Sequence, residues 1–107
     1  MSIRNLPPEQ VQQLLNDGHD LILIDVREKW EFEICHIDPS INIPMGDIPA
    51  LAQDLDGDAQ TVLICHHGAR SMQVANFLEN TGFVNLINLA GGINAWANNI
   101  DPNMQQY

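Results

Sequence analysis

Apolar positions along this chain switch between helical spacing and short unbroken runs. Val11, Leu14 and Leu15 recur at helical spacing behind Pro7 and Pro8, which suit a first helical turn with Glu9, and Gly18 supplies a stop. Residues 21–24 form an uninterrupted apolar run ending at Asp25, as expected of a strand covered on both faces. Residues 28–32 read as a short helix and residues 41–43 as a short strand closed by Pro44. Asp47 is a candidate N-cap, with Ile48, Leu51, Ala52 and Leu55 at helical spacing behind it and a turn at Asp56, Gly57 and Asp58. Residues 61–64 give a second strongly buried strand. Residues 71–80 predict a helix with Val74, Phe77 and Leu78 inward, stopped by Gly82. Residues 84–89 read as a strand, and Ile93, Trp96, Ala97 and Ile100 mark a last helix. The tail, residues 101–107, is polar and expected to fray.

Strands alternating with helices predict an α/β domain: a mainly parallel central sheet with helices on both faces. In such sheets ligands sit at the carboxyl ends of strands, where this chain delivers Asp25 and Cys65. The 107 residues suit one domain spanning residues 1–107, without repeats or low-complexity stretches. Fourteen acidic against four basic side chains give a net charge of −10, which argues against nucleic-acid and anionic-membrane partners and favours a monomer. No apolar run approaches the roughly 20 residues of a membrane span, and the N-terminus lacks the pattern of a secretory signal. Two cysteines, Cys35 and Cys65, are too few for a disulfide scaffold, so a reduced cytoplasm with a free thiol is the simplest reading.

The acidic background makes any local positive field informative. Cys65, His66, His67, Gly68, Ala69, Arg70 and Ser71 lie between a buried strand and an amphipathic helix. A thiol there faces unpaired amides and the positive end of the helix dipole. Gly68 lets the loop curl so that successive amides form an anion nest. Such surroundings favour a reactive thiolate and would equally shelter a bound anion. The bland alternative is an inert buried cysteine, which the loop composition disfavours. Arg70 at a helix N-terminus opposes the dipole, so its presence points to an anion nearby. His66 and His67 either steer anions and shuttle protons or are simply solvated. A metal site is disfavoured, because adjacent histidines rarely ligate one ion and no zinc spacing is present.

Four segments, in order, resemble the rhodanese family: Asp25-Val26-Arg27-Glu28 with Glu31-Phe32; His36-Ile37 with Asn42-Ile43-Pro44; the loop from Cys65 to Ser71; and Leu89-Ala90-Gly91-Gly92-Ile93-Asn94-Ala95-Trp96. The resemblance implies a rhodanese fold with Cys65 accepting sulfur as a persulfide, in a loop from Cys65 to Arg70 whose backbone cradles it. It implies a small anionic donor, thiosulfate or another persulfide, and an acceptor that is cyanide, a small thiol or a sulfur-acceptor protein. No cofactor is implied. Asp25 and Arg27 either touch substrate or, the favoured reading, join Glu28 or Glu31 in an ion-pair network beneath the loop, Arg27 and Glu31 having i, i+4 spacing; Ser71 is a further support. Gly91 and Gly92 either approach a ligand or, as favoured, allow tight backbone passage, Trp96 is expected in the core rather than as a binding platform, and Met45 and Met72 either line the pocket mouth or fill gaps.

Cys35 replaces a glycine usual in the family, which puts the turn through Asp38-Pro39-Ser40 in doubt and raises the idea of a resolving thiol for Cys65. Two rivals remain. Cysteine phosphatases related to this fold place five residues between Cys and Arg; here there are four, His66 to Ala69, a tighter cradle. Inactive rhodanese-like binding modules usually lack the loop cysteine, which this chain keeps.

Overall fold

Apolar runs too short for helices settle side by side in the computed structural model, which describes residues 3–107. Met1 and Ser2, counted above in the domain, lie outside the described residues. The elements are β1 (Ile3–Leu6), α1 (Pro8–Asn16), β2 (Leu21–Asp25), α2 (Lys29–Ile34), β3 (Ile41–Asn42), α3 (Ile48–Leu51), β4 (Gln60–Ile64), α4 (Ala69–Asn80), β5 (Leu86–Leu89) and α5 (Gly92–Asn99). The strand order is β1-β5-β4-β2-β3, and every described pairing is parallel.

The sheet is buried on both faces, as its unbroken apolar runs require. Ile24, Leu63, Cys65 and Leu86 turn to one face, under Ile48 of α3 and Val74, Ala75 and Leu78 of α4. Leu23, Val62, Ile64, Ile87 and Leu89 turn to the other, under Val11 of α1 and Ile93 and Trp96 of α5. Each fully buried aliphatic side chain contributes about 1.5–3 kcal/mol, so the strands that carry the site are its most rigid part. In β2 and β4, Asp25 lies opposite Ile64 and Val26 N–H donates to Ile64 O at 2.8 Å, which brings their carboxyl ends together.

Four expectations change. The helix expected behind Asp47 is a 3₁₀ turn (Met45–Asp47), the single α turn of α3 and another 3₁₀ turn (Ala52–Asp54), and the Asp47 side chain caps nothing. Pro49 lies in the first turn of α3, where its missing N–H leaves no helical bond unmade. Phe77 is not on the inner face of α4 but 38% exposed; Ser71, Val74, Ala75 and Leu78, at i, i+3, i+4 and i+7, face inward. β5 begins at Leu86, and Val84 is exposed. β1 was not expected, and it pairs along the edge with β5. The turn after Cys35 carries a cis peptide between Asp38 and Pro39.

Candidate active site

Cys65 follows β4 directly, and the chain reverses into α4 through Gly68, whose φ of +105° is open to glycine at little strain. That reversal aims Gly68 N–H at Cys65 Sγ, 3.0 Å away, and the Ser71 hydroxyl reaches the same sulfur at 3.2 Å. The thiol is 1% exposed, as an inert core cysteine would be, yet its sulfur is met by two polar donors. Those two donors are what the expected ring of amides amounts to at the sulfur itself.

The loop is held from below by the start of α5. Ile93 N–H donates to Cys65 O at 2.8 Å and Asn94 N–H to His66 O at 3.0 Å. Such close approach requires Gly92, whose φ is +60° and where a Cβ would come within 2.6 Å of the His66 carbonyl. Gly91 and Gly92 therefore serve the tight backbone passage expected of them.

The ion-pair network exists with different partners. Arg27 and Asp25, both fully buried, pair at 2.7 Å, and Arg27 also donates to Cys35 O at 2.6 Å. Arg27 does not pair with the Glu31 carboxylate; it reaches only the Glu31 backbone carbonyl, at 3.3 Å. The reason lies at the start of α2. A capping box turns Glu31 back to accept Glu28 N–H at 2.9 Å, which points its other lone pairs at the loop. There Arg70 donates two bonds to it, at 2.7 and 3.0 Å. The anion inferred near Arg70 is thus Glu31.

The Arg70 guanidinium holds the Glu31 carboxyl down at about 2, against the opposing effect of burial and with help from Glu28 N–H and Tyr107. Glu31 in turn raises Arg70, outweighing burial, with a smaller contribution from the charge available at Cys65. A depressed carboxyl stabilises the fold above its ordinary value of 4.5, and that contribution disappears as pH falls towards 2. Glu31→Gln is therefore expected to lose about 2 kcal/mol at neutral pH, discounted for the half-exposed Arg70. Urea unfolding should show the gap to the parent protein closing as pH drops between 4.5 and 2. A gap independent of pH would assign the loss to packing.

The tail is not frayed at its end. The Tyr107 hydroxyl oxygen accepts from Arg27 Nη1 at 2.9 Å and its O–H donates to Glu31 Oε2 at 2.8 Å. Its ring stacks on His66 at 4.1 Å, His66 stacks on His67 at 4.0 Å, and Trp30 meets Tyr107 edge-on at 5.9 Å. Burial, with the bond to Glu31, pushes the Tyr107 hydroxyl up to about 12. Burial and then His67 push His66 below its ordinary value, so in this stack it is neutral at neutral pH. His67 is exposed and Ala69 lies at the exposed start of α4. Met45 lines an apolar groove with Ile48, Pro49, Val74 and Phe77, and Met72 is half-buried.

Tyr107 had one sequence signal: it is the chain's single tyrosine, ending an otherwise polar tail. Asn88 had another, a polar residue inside the apolar run of β5; it is 3% exposed and lies beside Ser71. Cys35 packs against the sheet face opposite Cys65, and both thiols are free. The two cysteines belong to different cores, which gives no support to a resolving role for Cys35.

A parallel sheet that delivers one thiol into a helix-capped loop at the end of its central strand defines an α/β protein built around a cysteine loop. Residues 7–99 match the rhodanese-like domain. The chain is 36% identical over 102 residues to YtwF of Bacillus subtilis, covering 95% of this chain and 98% of that protein. It is 34% identical over 93 residues to thiosulfate sulfurtransferase GlpE of Pseudomonas fluorescens, covering 87% and 84%. The crystal structure of a rhodanese-related protein from Thermoplasma volcanium superposes with a TM-score of 0.80 at 29% identity, over 89% of this chain and 91% of that one. The chain belongs to the rhodanese-like domain family, and its fold is the rhodanese fold.

Proposed function

We propose that this protein is a sulfurtransferase in which Cys65 carries sulfane sulfur as a persulfide. The Cys65 thiolate attacks the outer sulfur of thiosulfate; the new S–S bond forms as the donor's own S–S bond breaks and sulfite leaves. Cyanide, a small thiolate or the thiolate of a partner protein then attacks the outer sulfur, and Cys65 departs as thiolate. Another persulfide serves as donor by the same exchange. The observation that carries this reading is the pair of donors on Cys65 Sγ, Gly68 N–H at 3.0 Å and Ser71 O–H at 3.2 Å. They stabilise negative charge on the attacking and departing sulfur, at the cost of no more than a rotation of the Ser71 hydroxyl.

Ala69, His66 and His67 complete the backbone of the cradle, Arg70 braces it through Glu31, and Asp25 and Arg27 support it from beneath. The engagement of Arg70 also favours sulfur over phosphate. Both arms of its guanidinium are on Glu31, so it is not free to clamp a phosphoryl group. Among the described residues no helix is long and apolar enough to cross a membrane. A working thiol suits a reducing compartment such as the cytoplasm.

Intact-mass measurement after thiosulfate treatment tests the reading. One sulfur atom should be gained on Cys65 and removed again by cyanide. A protein that gains none, or that gains it equally after Cys65→Ser, is not this enzyme.

A further inference from the structure

The Ser71 hydroxyl has one proton and three acceptors. Its oxygen lies 3.2 Å from Cys65 Sγ, 3.2 Å from Gly68 O, and in a short contact with Asn88 Oδ1. Asn88 stands with its amide fixed. Its Nδ2 donates to Asn5 Oδ1 at 3.0 Å and to Gly68 O at 3.3 Å, and a backbone carbonyl only accepts, so Oδ1 must face Ser71. Ser71 is fully buried and Asn88 is 3% exposed, so water does not replace a lost partner at little cost. The far end of this network lies outside the loop: Asn88 comes from β5 and Asn5 from β1.

We infer that Asn88 is a positioning residue that acts on Cys65 through Ser71, by competing with the sulfur for the Ser71 proton. This rests on the reading of Cys65 as the sulfur-carrying nucleophile. While Cys65 is a thiol, its S–H can point to Ser71 Oγ and the Ser71 O–H points to Asn88 Oδ1. When Cys65 is a thiolate, the Ser71 O–H turns to Sγ and Asn88 Oδ1 loses its donor. When the sulfur attacks, the S–S bond forms and the negative charge moves one atom outward, onto the terminal sulfur. Sγ is then neutral, and the Ser71 O–H returns to Asn88. No proton is transferred at Ser71; its hydroxyl only rotates. Asn88 thus keeps the bare thiolate incompletely satisfied and favours the loaded protein, in which every partner in the relay is satisfied.

The groups that bear charge around this loop come from several elements: Arg70 of α4, Glu31 of α2, the Asp25 and Arg27 pair at the end of β2, His66 and His67 of the loop, and Tyr107 of the tail. None of them is substituted in any variant, so differences between variants read the relay. The test follows thiolate absorbance in the ultraviolet as pH is raised, with Cys65→Ser as the blank that removes Cys35 and tyrosine. Ser71→Ala should move the midpoint up by about one pH unit, the loss of one hydrogen bond to a charged sulfur. Asn88→Leu, which removes the competitor at similar volume, should move it down by about half a unit. In the Ser71→Ala background, Asn88→Leu should do nothing more, because its effect passes through Ser71.

A downward shift that survives in the Ser71→Ala background, or an Asn88→Leu midpoint that stays put or rises, overturns the proposal. Should Asn88→Leu not fold, Asn88→Ala gives the same readout. The titration measures ionisation and not sulfur loading. A failed relay therefore leaves the sulfur reading intact, and a protein that takes no sulfur from thiosulfate sinks that reading alone.

Discussion

Cys65→Ser should lose sulfur transfer by at least about 10³-fold, to the background of the assay, and keep its fold. The oxygen of serine is not ionised at neutral pH and forms no stable bond to sulfane sulfur, so neither half of the exchange can occur. The surroundings tolerate the change. Gly68 N–H and Ser71 O–H, at 3.0 and 3.2 Å from the sulfur, meet an oxygen as readily. The core cluster beside α4 loses one polarisable contact at a position 1% exposed, a stability change of about 1 kcal/mol. A thiosulfate–cyanide assay beside a thermal unfolding curve separates the two quantities. Transfer that persists in a folded variant would remove Cys65 from the reaction.

What the sequence disclosed follows the physics of each segment. β4 and the Cys65 loop were legible because an unbroken apolar run, a thiol and a glycine in succession leave few alternatives. Gly91 and Gly92 were legible for a similar reason, since two adjacent glycines before a helix ask for close backbone approach. β1 was hidden because Arg4 and Asn5 interrupt it: an edge strand exposes half its surface and needs no apolar run. The partner exchange between Arg27 and Arg70 was hidden too. Spacing of i, i+4 brings Arg27 near Glu31, but the capping box decides which way the carboxylate points, and Asp25 claims Arg27 from the strand. Tyr107 and Asn88 act across the chain, on Glu31 and Ser71 respectively, so the local sequence marks each as unusual in its segment without showing what it meets.

Gly92→Ala should be the most damaging single-atom addition near the site, and Gly18→Ala its control. Both glycines have positive φ, +60° and +80°, so both substitutions carry the left-handed strain of about 1–2 kcal/mol. Around Gly18 nothing lies within 4 Å of the added methyl group, and strain is the whole effect. At Gly92 the methyl group would overlap Cys65 O and come within 2.6 Å of His66 C and O. Those atoms are backbone, and they cannot move aside without breaking the Ile93 and Asn94 bonds, 2.8 and 3.0 Å long, that hold them. Relief requires the loop to lift off α5, which carries Gly68 N–H away from the sulfur. The expected loss is about 3 kcal/mol or more of stability, together with at least about tenfold in transfer from whatever fraction remains folded. Gly18→Ala should lose only the strain and keep its rate. Equal behaviour of the two variants in urea unfolding and in the transfer assay would mean that the loop does not depend on its seat at the start of α5.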